Sequence, residues 1–205
     1  MPYSMLDEAM MVQAYADDPA SAESEWFGAF RSGLESLLAD DWIDAAIDHD
    51  RPLEIPPRSG VIYKGFVDAS PGQHDVFALC IGHCEGEGDD KRFVADVVRA
   101  RVPPFDPNEV AREYAELAQA YRINELRGDS FAGEWVHRAV LDAGIGYEKS
   151  ELTANWRVRH FRPSNRDRLS LPNDEKLVRE LRLLERRTHR SGKDSVDHPT
   201  GGKRR

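Results

Sequence analysis

Cysteine is scarce: Cys80 and Cys84 are the two thiols in 205 residues. A single C-x3-C pair is too little for a four-cysteine zinc module or a disulfide framework, and both are read as reduced thiols of a cytosolic chain. Long apolar runs are missing, and no segment reaches the roughly 18 residues of a membrane-spanning helix. The opening stretch, MPYSMLDEAMMVQAYADDPA, has neither a basic start nor a long apolar core, so it is not read as a secretory signal. A phosphate-cradling G-x-x-x-x-G-K-[ST] loop is absent, since SGKDS at 191–195 lacks the upstream glycine and a preceding strand. That excludes ATP hydrolysis by such a loop. The histidines show no zinc-like spacing, and no internal repeat is found.

Positive charge is also in deficit, with a net charge of −9, which argues against a generic nucleic-acid binder. Its distribution says more. Residues 151–205 hold 15 Lys/Arg against 8 Asp/Glu, whereas residues 1–150 hold 13 against 29. A basic end on an acidic body can be an electrostatic footprint for a polyanion, the alternative being a solvated basic helix face. A 40% hydrophobic and 32% charged composition suits a soluble globular core.

The spacing predicts helices over 1–15 and about 19–47. In the second, Trp26, Phe27, Phe30, Leu34, Leu37 and Leu38 form an apolar stripe. DRPLEIPPRSG, 50–60, reads as a linker. The period then changes from 3.6 to 2. Strands are predicted at 61–68, 75–82 and 91–99, the last two joined through CEGEGDD. A helix over 107–121, a fourth strand at 123–129, a helix stopped by Gly144, a fifth strand at 145–150 and a helix over 173–188 capped by Asn173 follow. This order predicts an α/β fold: a mixed sheet ordered 3-2-1-4-5 with flanking helices, preceded by a helical arm. The expected division is arm and linker over 1–58 and a sheet domain over 59–205.

KGFVDASPGQHDVFALCIG, 64–82, holds the sharpest local feature. An apolar run ends on Asp68, turns through Ser-Pro-Gly-Gln-His and resumes. Asp129 ends the fourth strand. In the expected order the first and fourth strands are neighbours, and ligands of open α/β sheets gather at the carboxyl ends of strands. Two or three converging carboxylates suit a pair of Mg²⁺ or Mn²⁺ ions that activate a water and stabilise the leaving oxygen of a phosphodiester. The alternative is that each aspartate caps a turn or helix. Ser70 is expected to bond local backbone, and His74 and Asp75 to form the turn. Trp135 and Phe131 are expected in the core.

Four stretches, GFVDASPGQHDVFALCIGH, RVPPFDPNEVAREYAEL, LRGDSFAGEWV and LERRTHRSGKDSVDHP, resemble the nuclease domain of bacteriophage terminase large subunits, the DNA-packaging enzymes. The resemblance runs over about 15–202. It implies an RNase H-like fold and a metal-dependent DNA endonuclease, with Asp68 and Asp129 as catalytic and metal-binding acids. It further implies double-stranded DNA as substrate and, in an intact system, the terminase small subunit or portal as partner. The expected setting is the cytoplasm of a bacterial host, as a phage or prophage protein. Arg186, Arg187 and Arg190, with Arg157, Arg159, Arg162, Arg166 and Arg168, would neutralise DNA phosphates.

Two departures qualify this. The ATPase motor of the full terminase is missing. The chain also ends DHPTGGKRR, with Lys203, Arg204 and Arg205 where the family continues to paired aspartates that supply the third metal ligand. The expectation is a fragment cut at both ends, lacking the final helix. Asp194 and Asp197 are the nearby acids; either could take the third position, with Asp197 the candidate ligand, or both order the SGKDSVDHP loop. The leading reading is thus a weakened terminase-type endonuclease. One alternative is a catalytically inactive prophage remnant that binds DNA or a packaging partner. The other is a different RNase H-fold nuclease of resolvase or transposase type.

Overall fold

The computed structural model describes residues 35–129, 133–150, 168–188 and 194–197. A meander forms the centre: β3 (Tyr63–Asp68), β4 (Phe77–Glu85) and β5 (Arg92–Arg101) pair antiparallel. Helix α2 (Pro107–Ala120) then crosses back. Asp106 caps it, accepting from the Asn108 amide at 2.8 Å, and Pro107 occupies its first turn. The crossover delivers β6 (Glu125–Gly128) parallel to β3 on the side away from β4. Helix α3 (Gly133–Asp142), ended at Gly144, leads to β7 (Gly146–Lys149), parallel to β6. The predicted order 3-2-1-4-5 is the observed β5-β4-β3-β6-β7.

The sheet is wider than expected. Strand β8 (Leu169–Pro172) lies parallel to β5, and β2 (Ile47–Asp48) parallel to β8, giving seven strands ordered β2-β8-β5-β4-β3-β6-β7. The continuous helix expected over 19–47 is not what residues 35–48 form. They give β1 (Glu35–Ser36), α1 (Asp40–Ala46) and then β2. The Ser36 hydroxyl bonds the Leu38 carbonyl at 2.8 Å, a local bond that competes with helix. The helix expected over 173–188 is also shorter. Helix α4 (Glu175–Arg182) is capped by Asp174, not Asn173, through the Leu177 amide at 2.7 Å. Beyond it β9 (Glu185–Thr188) pairs with β1 and with β10 (Asp194–Asp197) in a separate three-stranded sheet. Pairing to distant strands overrides local helix propensity there.

One face of the large sheet carries α2 and α3. Phe77, Leu79, Ile81, Val67 and Leu126 meet Val110, Tyr114, Ala115, Ala118, Val136 and Val140 in a single core. Trp135 packs edge-on against Phe77 with ring centroids 6.3 Å apart, as a core residue should; Phe131 lies outside the described residues. The prolines of 50–60 lay that segment along the sheet. The Ile55 amide donates to the Asp96 carbonyl at 2.9 Å, the Tyr121 hydroxyl donates to the Ile55 carbonyl at 2.6 Å, and Glu54 pairs with Arg99 at 2.7 Å.

Asp96 owes its position to a β-bulge. The ladder passes from Ile81↔Val97 to Gly82↔Ala95 and leaves Asp96 as the extra residue. Its fully buried carboxylate meets His83 Nδ1 at 2.5 Å, and His83 Nε2 faces Arg58 at 2.7 Å and Glu85 at 3.0 Å. The Cys80 thiol is pushed up to about 11, first by burial and then by the Asp96 charge, while Cys84 is exposed.

Removing the Asp96 carboxylate strands His83 in the interior. Asp96→Ala should cost about 2–4 kcal/mol, and Asp96→Asn about half of that, because an amide oxygen still accepts one bond. Urea denaturation checks both values, and a loss below about 1 kcal/mol for the alanine variant would contradict the assigned role of the pair.

Candidate active site at the carboxyl ends of two strands

The turn after β3 explains why an apolar run stops where it does. Ser70 is buried, its hydroxyl donating to the Asp75 carbonyl at 2.6 Å and accepting from the Gly72 amide at 3.3 Å. The expected local role of Ser70 holds. Gly72 sits at φ +85°, and a Cβ there would lie 2.3 Å from the Phe105 carbonyl oxygen, so only glycine fits. His74 and Asp75 are exposed beyond the bend. The turn leaves Asp68 at the exposed carboxyl end of β3.

Asp129 directly follows β6. The parallel register of the two strands is Gly65↔Leu126, Phe66↔Arg127 and Val67↔Gly128. Asp68 and Asp129 are the residues that directly follow the last of these pairs, Val67↔Gly128. Asp129 is partly buried. Both charges reach the phenol of Tyr147 on β7, which is held above the ordinary tyrosine range by burial first, then by Asp129 and then by Asp68. The Tyr147 hydroxyl donates to the Asp129 backbone carbonyl at 3.2 Å. Arg127 and Glu148 form an exposed ion pair at 2.5 Å on the neighbouring β6–β7 positions.

The other sequence candidates fall elsewhere. Asp197 ends β10, opposite Glu185 of β9 in the smaller sheet. Arg186 pairs in register with Glu35 and Val196, and Arg187 with Ser195, on a strand and not on the end of a helix. Helical spacing therefore does not group these two with Arg190, which lies outside the described residues, as do Arg157, Arg159, Arg162 and Arg166. Among the described residues no group of three or more His, Cys, Asp or Glu side chains could together hold a metal ion. No helix among them is long and apolar enough to cross a membrane. Tyr147 was missed as a site residue; the one sequence signal was an aromatic on the strand beside a glycine.

No protein-family model and no curated protein matches the sequence. Solved structures do. The large terminase nuclease of thermophilic phage G20c superposes with a TM-score of 0.63 at 15% identity, covering 82% of this chain and 90% of that one. The same nuclease with bound magnesium gives 0.62 at 14% identity, covering 82% and 89%. The large terminase of bacteriophage HK97 gives 0.55 at 12% identity, covering 80% of this chain and 40% of that longer one. The chain has the RNase H-like fold of phage terminase nuclease domains.

The Tyr147 phenol reports on the two acids. It should titrate above the usual tyrosine range, Asp129→Asn should bring it down further than Asp68→Asn, and neither should restore the ordinary value, because burial is the larger cause. Folding then loses stability only as pH rises past the unfolded value of about 10, where the unfolded phenol ionises and the folded one still holds its proton. Ultraviolet titration of the wild type and both variants measures this, and two substitutions without effect would place the carboxylates away from the phenol.

Proposed function

We propose that the chain is a divalent-metal-dependent DNA endonuclease of the terminase type, acting in phage DNA packaging in a bacterial host. The observation that supports the reading is the parallel β3–β6 register, whose last pair, Val67↔Gly128, immediately precedes Asp68 and Asp129. The fold shared with phage terminase nucleases, one of them solved with bound magnesium, supports it. The donors fit a hard cation such as Mg²⁺ or Mn²⁺, since both are carboxylates. Ions held there supply Lewis acidity, activating a water and stabilising the leaving oxygen of a phosphodiester.

The chain's own part is positional. The sheet fixes the spacing of the two carboxylates through the backbone, and the Ser70–Gly72 turn keeps the end of β3 open to a substrate. In this reading Asp197 is the third ligand, while Arg186, Arg187 and Arg190 neutralise DNA phosphates. Without Asp197 only two carboxylates would stand against the +4 of two ions, and catalysis would then be slow. The second reading is an inactive remnant that still binds DNA or a packaging partner.

Nicking of supercoiled plasmid separates the two. Mn²⁺ should support cleavage several-fold better than Mg²⁺, because it tolerates imperfect geometry. Asp68→Asn should lower the rate about 100-fold or more. Asp197→Asn should lower it as well if that acid is the third ligand. Nicking that survives Asp68→Asn would rule out this site, and no nicking with either metal would favour the remnant.

DNA binding has its own test. Replacing Arg186, Arg187 and Arg190 with alanine should weaken affinity and flatten the dependence of log K on log salt by about 0.9 for each phosphate no longer neutralised. Filter binding over a range of salt measures the slope. An unchanged slope would remove these residues from the footprint.

A further inference from the structure

We propose that Tyr147 is a positioning residue for Asp129, and that Gly128 is a glycine so that the tyrosine can reach. The inference rests on the reading above, in which Asp129 holds a divalent ion. Leu126 pairs with Tyr147 and Gly128 with Lys149, so the Tyr147 ring leans diagonally along β6 toward its carboxyl end. A Cβ at residue 128 would lie 2.1 Å from the Tyr147 hydroxyl oxygen and 2.7 Å from Cζ. No side chain can stand there while the phenol does. The ring also meets His137, edge-on with centroids 6.0 Å apart.

The hydroxyl thus passes over Gly128 and donates to the carbonyl of Asp129 at 3.2 Å. That carbonyl belongs to the peptide plane through which the chain leaves β6. Ladder bonds hold the strand up to this point: the Ser150 amide donates to the Gly128 carbonyl at 2.8 Å. The phenol extends this support by one residue, onto the residue that carries the carboxylate. A ligand is only as well aimed as the backbone beneath it, and groups that hold ligands in place commonly govern metal affinity by about 10–100-fold. Support through the backbone is less direct than a bond to the carboxylate itself, so a smaller effect is expected.

The test is Mn²⁺ binding to the full chain, with free Mn²⁺ counted by electron paramagnetic resonance, beside melting curves in EDTA. Tyr147→Phe removes only the hydroxyl. It should weaken Mn²⁺ binding by about 3–10-fold while the metal-free melting temperature falls by no more than about 4 °C. Gly128→Ala should weaken binding by a similar factor, because its methyl displaces the phenol. The double variant should bind no more weakly than Gly128→Ala alone, since either substitution already removes the same hydrogen bond. Asp68→Asn serves as the control that removes a ligand. If Asp68→Asn abolishes binding while Tyr147→Phe leaves it unchanged, or if the two substitutions add, the positioning role is overturned and the metal reading stands. If Asp68→Asn binds Mn²⁺ as the wild type does, the metal reading fails and this inference fails with it.

Discussion

The in-register parallel pairing of β3 with β6 is the constraint on which the rest depends. These strands are separated by two hairpin strands and a helix, yet they must run side by side for Asp68 and Asp129 to share an end. Parallel neighbours need a crossover, and α2 provides it across the apolar face of the sheet. The helix is fastened to that face by more than shape. Tyr114 is fully buried, and its hydroxyl donates to the Phe77 carbonyl at 3.0 Å. A one-residue slip between β3 and β6 would exchange the faces of every side chain on the shifted strand, so the core that fixes the register also fixes the two acids.

The sheet treats charge in opposite ways at its two ends. Around the start of β3, Asp96 and His83 are deep in the protein, where the Asp96 carboxylate meets the His83 ring and the other ring nitrogen faces Arg58 and Glu85. At the other end Asp68 is exposed and Asp129 partly buried, with like charges on neighbouring strands. The first arrangement locks the proline-rich segment 50–60 against the sheet. The second leaves Asp68 exposed to solvent.

Much of this was legible in the sequence, for physical reasons that differ between elements. The alternation in YKGFVD records one buried and one more open face, and FALCIGHCE alternates over its first half before three buried residues in a row, so these central strands could be read directly. Asp68 stood out because a carboxylate ended an apolar run. The short strands could not be read. Two to four residues carry no period; β1, β2, β8 and β9 exist because a distant partner completes their hydrogen bonds, and β10 because β9 does. For the same reason Glu185–Thr188 read as the tail of a helix. Tyr147 was out of reach too: its approach to Gly128 and Asp129 is a diagonal across two strands, visible only once their register is known.

The two margins of the large sheet have a consequence for the chain's behaviour in a crowded solution. Among the described residues one margin is β2, two residues long, and the other is β7, four residues long with Glu148 and Lys149 exposed. A growing aggregate needs a long, flat row of free amides and carbonyls to add the next strand, and charged side chains at such a row repel the newcomer. Neither of these two strands offers that template, so strand addition at β2 or β7 is disfavoured.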